Sequence, residues 1–203
     1  MTVLLSSAYM PPISFFSAMA SSSDVLVEQY DHYRKQTYRN RCVMAAAGGP
    51  MNLTVPVENG NRPGQPVKDI RISDHGNWRH LHWNALESAY MSSPFFMYYQ
   101  DDLRPFFEKR WDFLIDFNTA ITLKLMELCH VRSDIKLTDS YRSDYSSSES
   151  CVKDYRNLID PARLPDNTVR PYWQVFRQKN GFIPNLSILD LLFNMGPEVP
   201  LYL

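Results

Sequence analysis

The first thirty residues restrict the fold more than any other stretch. Thr2-Val3-Leu4-Leu5-Ser6-Ser7-Ala8-Tyr9 is a short apolar run stopped by Pro11-Pro12, which reads as a buried strand entering a turn. Ile13 to Met19 then carries apolar residues at helical spacing. Ser21-Ser22-Ser23-Asp24 breaks that pattern before a second strand at Val25-Leu26-Val27. Strand, short helix, strand opens a βαβ unit, and a crossover of this kind joins parallel strands. The 203 residues suit one domain, residues 1–203, with one sizeable core. The expected fold is a single α/β domain: a mostly parallel sheet with added antiparallel strands, and helices on its faces.

Cys42–Ala46, Leu53–Val57 and Val67–Ile72 are further strand candidates, separated by the turn signals Gly48-Gly49-Pro50 and Asn59-Gly60-Asn61. Helical character dominates from Trp78 to His130. Trp78, Leu81, Leu86 and Tyr90 fit one helix face, ending before Ser92-Ser93-Pro94. Leu103, Phe106, Phe107, Trp111, Leu114 and Ile115 recur at three and four, with Pro105 tolerable only in a first turn. Asp116 or Asn118 is the expected cap of the next helix, whose buried stripe is Ile121, Leu125 and Leu128. Residues 132–170, with Ser146-Ser147-Ser148 among Asp, Arg and Tyr, read as an irregular surface segment, either mobile or ordered by a ligand. Tyr172–Phe176 looks like a strand. Ser187 is placed to cap a helix running to Met195, Asp190 suits its positive end, and Gly196 follows as a C-terminal cap.

The densest chemistry is His32-Tyr33-Arg34-Lys35-Gln36-Thr37-Tyr38-Arg39-Asn40-Arg41, with four permanent cations directly after a predicted strand. On an extended chain Lys35, Thr37, Arg39 and Arg41 share one face at about 7 Å per step, which suits a phosphate or diphosphate. A solvated basic face balanced by Glu28 and Asp31 is the plain alternative. An extended chain would carry those two carboxylates roughly 25–40 Å away, unless a turn near Tyr33 brings them back. Tyr33 and Tyr38 could stack on bases, but the net charge of −1 and the absence of any nucleic-acid motif argue against such a partner.

His75, His80 and His82 form an H-x4-H-x-H cluster, yet residues two apart share a face only in a strand, and this stretch reads as helix. No metal site is expected, and His82 is the candidate general base. The chain has no GxGxxG, GxxxxGK[ST] or GxSxG motif, so no cofactor is expected. Cys42, Cys129 and Cys151 form no CxxC pair, which suits a reducing compartment. The apolar N-terminus lacks a preceding Lys or Arg and is interrupted by Pro11-Pro12, so it is not a secretory signal. No run reaches the roughly 18 apolar residues of a membrane span. The expectation is a cytoplasmic protein without membrane insertion.

Three blocks resemble the WbqC-like family of bacterial proteins. They are Tyr9-Met10-Pro11-Pro12-Ile13 with Phe15-Phe16; Lys35–Arg41 followed by Leu53-Thr54-Val55-Pro56-Val57; and Tyr172–Phe176 leading to Pro184–Gly196. Trp78, His82, Tyr90 and Pro94-Phe95-Phe96 also look like family positions. The family takes its name from a protein associated with O-antigen and surface-polysaccharide gene clusters. The resemblance therefore implies a transferase-like role on a nucleotide-activated or phosphorylated sugar. Lys35, Thr37, Arg39, Asn40, Arg41 and Tyr9 would bind that phosphate-bearing substrate, and His82 would be the base. Residues 131–170 depart from the glycine-containing stretch of longer members, which leaves open a binding protein that does not catalyse. In that role, as a scaffold of envelope-glycan assembly, the aromatic-rich surface would serve a partner such as a second copy of the chain.

Overall fold

The computed structural model describes residues 1–58, 64–145, 151–163 and 169–203. The turn Asn59-Gly60-Asn61 and the serines Ser146-Ser147-Ser148 lie outside the described residues. β1 (Thr2–Ser6), α1 (Ile13–Ala20) and β2 (Asp24–Glu28) form the anticipated βαβ unit. β1 and β2 pair in parallel from Thr2–Asp24 to Ser6–Glu28. Val3, Leu4 and Leu5 are all buried, the continuous apolar run of a parallel strand covered on both faces.

β3 (Arg41–Ala46) and β4 (Gly49–Thr54) make a separate antiparallel hairpin. Gly49 sits at φ +112°, a backbone state that side-chain-bearing residues avoid, so the Gly48-Gly49 signal marks this turn. Helices follow: α2 (Trp78–Tyr90), α3 (Phe96–Leu103), α4 (Pro105–Glu108) and α5 (Leu114–Leu128). β5 (Asp134–Leu137) and β6 (Val152–Asp154) then complete the main sheet, in the order β5-β2-β1-β6 with every pair parallel. The chain closes with α6 (Arg177–Asn180), α7 (Ile188–Met195) and a 3-10 turn at Gly196–Leu201. The architecture is therefore mixed α/β, with the expected parallel sheet, the added antiparallel pair and one apolar core.

Several local readings need correction. Residues 132–170 supply β5 and β6, whose three- and four-residue lengths are too short to show a period. Val67–Ile72 is a 3-10 turn at Val67–Asp69 with flanking bridges, and β4 ends at Thr54 rather than running to Val57. Tyr172–Phe176 is not a strand; Gln174 instead uses its side chain to bond Ile183. α5 starts at Leu114, ahead of both proposed caps, and Asn118 lies buried inside it. Leu81 is 62 % exposed, and His82 and Trp83 take its place on the buried face of α2. Pro105 does open a helix, as its missing N–H requires.

The C-terminal block closes onto the Pro11-Pro12 turn. Ile13 N–H donates to Leu186 O at 3.0 Å, and Ile188 N–H to Pro11 O at 2.8 Å. Ser187 Oγ donates to Met10 O, while Asn185 Oδ1 caps α1 by accepting from Ser14 N–H at 2.8 Å. Ser187 caps α7 as anticipated, accepting from Leu189 N–H. Gly196 at φ +54° ends the helix, and a Cβ there would come within 2.6 Å of the Phe95 ring. Among the described residues no helix is long and apolar enough to cross a membrane.

Candidate functional site

The strand order makes one place in the sheet special. The chain builds outward from β1 through β2 to β5, then returns to set β6 on the other flank of β1. Open α/β sheets bind ligands outside the carboxyl ends of strands where the order reverses in this way. A crevice lies at that point, walled by Ser6, Ser7 and Ala8 at the end of β1, by Thr37 and Arg39, and by Tyr155 after β6. It is narrow, with room of about 10 Å³, the space of a single water.

Arg39 is the charge at this crevice. It is only 3 % exposed and forms an ion pair with Asp31. Its Nη2 donates to Ser6 Oγ at 3.1 Å, and its Nη1 to Thr37 Oγ1 at 3.4 Å. Its Nε is buried without an acceptor. Burial pulls the Arg39 pKa down, Asp31 pushes it back, and the neighbouring Arg34 adds to the fall. Among the described residues no carboxylate pairs with Arg41, whose Nε is likewise buried and unpartnered. Burial raises the Tyr33 pKa, while Arg39 and Arg41 both lower it, so both guanidiniums act on one phenol. Four cations of the Arg34–Arg41 segment thus stand against Asp31 and Asp160, the two carboxylates that act on Arg39.

The basic segment is not the extended ladder its alternation suggested. Residues 35–40 form turns and a bend, with Gln36 at φ +59°, so Lys35, Thr37, Arg39 and Arg41 do not share one face. Lys35 is exposed; Thr37 is buried and donates to Arg34 O at 2.8 Å. Asn40 is buried with its amide on Val55 O at 2.8 Å, and Arg41 opens β3. The chain turns back after β2, which brings Asp31 to Arg39 although an extended segment would separate them.

Glu28 is spent elsewhere. Fully buried at the end of β2, it pairs with Arg156 Nη1 at 3.2 Å and accepts from Thr138 Oγ1 and Tyr30 N–H, each at 2.8 Å. Arg156 also grips Asp154 at 2.6 Å and the carbonyls of Arg142 and Ser143, with the Tyr141 and Tyr145 rings 5.4 Å from its guanidinium. With its donors so engaged this centre ties β2, β5 and β6 together, as a buried ion pair does when its remaining hydrogen bonds are met. Neither Arg156 nor Ser6 stood out in the sequence. Arg156 follows a three-residue strand, and Ser6 is an ordinary hydroxyl in an apolar run.

Tyr9 and His82 form a different pair. Both are buried, and Tyr9 Oη lies 2.9 Å from His82 Nδ1, packed among Trp78 and Phe117. Burial drives the His82 pKa down to about 4, against a hydrogen bond to the Thr54 backbone. Neither residue lines the crevice. Tyr9 reaches the basic segment only through its backbone, donating to Tyr38 O at 2.8 Å. The other two histidines of the cluster, His75 and His80, are exposed, and among the described residues no group of three His, Cys, Asp or Glu side chains is placed to hold a metal ion.

Comparison with known proteins bears on the whole arrangement. The WbqC-like protein family profile matches residues 6–160. A protein of Mycobacterium tuberculosis (strain ATCC 25618 / H37Rv), the uncharacterised Rv1507c, is 26 % identical over 222 residues, covering 98 % of this chain and 96 % of that protein. No solved structure matches the chain. The matched stretch runs from Ser6 at the end of β1 to Asp160 beyond β6, which takes in Ser6, Thr37, Arg39 and Tyr155 of the crevice and more than half of the sequence; the chain belongs to the WbqC-like protein family.

Proposed function

We propose that this protein binds a phosphate-bearing small molecule, a nucleotide-activated or phosphorylated sugar, at the carboxyl edge of its parallel sheet, where the crevice, with room for one water, must open to admit the phosphate. Its place would be a group-transfer step of bacterial surface-polysaccharide synthesis, the role the family resemblance implies. The observation that supports this reading is Arg39: a nearly inaccessible guanidinium, lining the order-reversal crevice, with one buried N–H still lacking an acceptor. Phosphate oxygens are the natural acceptors for such a fork. Thr37 shares the crevice wall, Lys35 and Arg41 are two more cations of the same segment, and Asn40 pins that segment to Val55. Tyr9 contributes its backbone only.

A second reading, binding without catalysis, is favoured by what lines the crevice. No wall residue is a His, Cys, Asp or Glu, and the Tyr38 pKa is pushed up to about 12, burial being the main cause. His82 is not among the walls, is held neutral by burial, and is committed to Tyr9. Thermal denaturation with a panel of nucleotide sugars and sugar phosphates tests the binding common to both readings. A ligand at 100 times its dissociation constant stabilises the fold by about 2.7 kcal/mol. Arg39→Lys keeps the charge but loses the planar fork, so it should weaken binding nearly as much as Arg39→Ala, and Arg41→Gln should weaken it with less risk to folding. No stabilisation by any phosphorylated ligand would remove both readings, and turnover of a stabilising nucleotide sugar separates them.

A further inference from the structure

We propose that the open cleft between α2 and α4 is a second binding site, taking an organic anion of about monosaccharide size between Arg79 and Arg104. The cleft encloses about 300 Å³ and is lined by Arg79, His80, Trp83, Arg104, Phe107 and Glu108. It shares no lining residue with the crevice at Arg39, so it stands independently of the function proposed above.

Both arginines are presented in the same way. The Arg79 guanidinium lies 5.0 Å from the Trp78 ring centre, and that of Arg104 lies 5.6 Å from the Trp83 ring centre. A guanidinium held over an indole keeps its in-plane N–H groups for an acceptor. Arg79 has such a group to spare, since its Nε is buried without a partner.

The carboxylates already present are shared or exposed. Arg79 bonds Asp74, but Arg110 bonds the same carboxylate, whose side chain is 39 % exposed. Arg104 meets Glu108 at 3.0 Å, with both side chains more than half exposed, the kind of ion pair that contributes little. Three arginines therefore share two wet carboxylates, and an incoming oxyanion can take over from them without unpairing a buried charge. Phe107 and Trp83 add an apolar wall, and the volume is that of a small-ligand pocket rather than a lone phosphate. The shared head-group chemistry is an oxyanion, from a phosphate monoester or from a carboxylate.

The test is an NMR titration of the full chain with glucose 6-phosphate, glucuronate and neutral glucose. The Trp83 indole N–H, which donates to Glu87 at 2.7 Å at the cleft wall, serves as reporter. At least one of the two anions should give a saturable Trp83 shift in the wild type and in Arg39→Gln, and glucose none. The anion that binds tighter identifies the head group. The Arg79→Gln/Arg104→Gln pair, or Arg104→Gln alone if the pair does not fold, should raise the dissociation constant at least ten-fold. Absence of a saturable shift with both anions overturns the site, as does an unchanged affinity in these variants. Loss of the Trp83 response in Arg39→Gln would assign the effect to the crevice and overturn it too.

Discussion

Replacing Asp31 with Asn tests the crevice directly, because it removes the carboxylate that Arg39 now holds while preserving shape. Breaking a buried ion pair by deleting one partner costs about 3–5 kcal/mol. Two features here reduce that. The Asp31 side chain is 20 % exposed, and the Ser6 and Thr37 hydroxyls remain as acceptors for Arg39. The expected loss is therefore about 2–3 kcal/mol, and at about 2–4 °C per kcal/mol for a chain of this size the midpoint should fall by about 4–12 °C. Urea and thermal denaturation measure it, each with and without inorganic phosphate. If the crevice accepts anions, phosphate can occupy the vacated position, and the variant should gain more stability from it than the wild type does. A loss below about 0.5 kcal/mol would mean that Arg39 is solvated rather than buried. An equal phosphate response in both proteins would mean that the carboxylate does not stand where an anion can go. Either result refutes the reasoning.

Two further outcomes follow from buried groups away from the crevice. His82 is held neutral, with its pKa down at about 4 against about 6.5 unfolded, so the unfolded chain takes up the proton first as pH falls. Its contribution is complete above pH 6.5 and is lost progressively down to pH 4, about 3 kcal/mol in all; urea unfolding at pH 7 and 4.5 should show that difference shrinking in His82→Gln. Asp190 accepts from Tyr90 at 2.8 Å and Tyr172 at 2.6 Å. Asp190→Leu would strand both hydroxyls at about 1–3 kcal/mol each, whereas Asp190→Asn keeps an acceptor and should cost less. Ligand-induced stabilisation should be unaltered in Asp190→Asn, and its loss would place this block in the binding site.

The elements that announced themselves in the sequence are those whose apolar pattern lasts a full period. β1, α1 and β2 could be read because Leu4 and Leu5, Phe15 and Phe16, Val25 and Val27 repeat beside clear breakers. α7 could be read because Ser187 and Gly196 mark both its ends. β5 and β6 could not, since at least half the residues of Asp134–Leu137 and of Val152–Asp154 are charged, and both segments gain their strand conformation from pairing with β2 and β1. The site was legible in residue type but not in geometry. Alternation of Lys35, Thr37, Arg39 and Arg41 signals a strand face only when the backbone is extended, and Gln36 turns the chain before Arg39. What no local pattern could reveal is that Asp31, eight residues earlier, would be folded back onto that arginine.

The C-terminal block, which lies beyond the stretch the family profile matches, is joined to the candidate site by backbone and not by a shared wall. Leu186, Ile188, Leu189, Leu191, Leu192 and Phe193 are all buried, so the block's apolar residues belong to the core. Two of its polar residues face the Pro11-Pro12 turn: Asn185 caps α1 and Ser187 holds the Met10 carbonyl, while the backbones of Ile13 and Ile188 cross-bond with Leu186 and Pro11. Pro11 lacks an N–H, so its carbonyl is its backbone hydrogen-bonding group, and Ile188 takes it. These bonds fix the chain only a few residues beyond Ser6, Ser7 and Ala8, which form one wall of the crevice. Asn118 fixes the same wall from behind, its amide donating to Ser7 Oγ at 2.9 Å and to Arg39 O at 2.8 Å. The loop after β1 is thus held at both ends by side chains that never enter the crevice, and Arg39 is set against it by its own backbone as well as by its charge. Substitutions in the C-terminal block should therefore reach ligand affinity only through the rigidity of that wall.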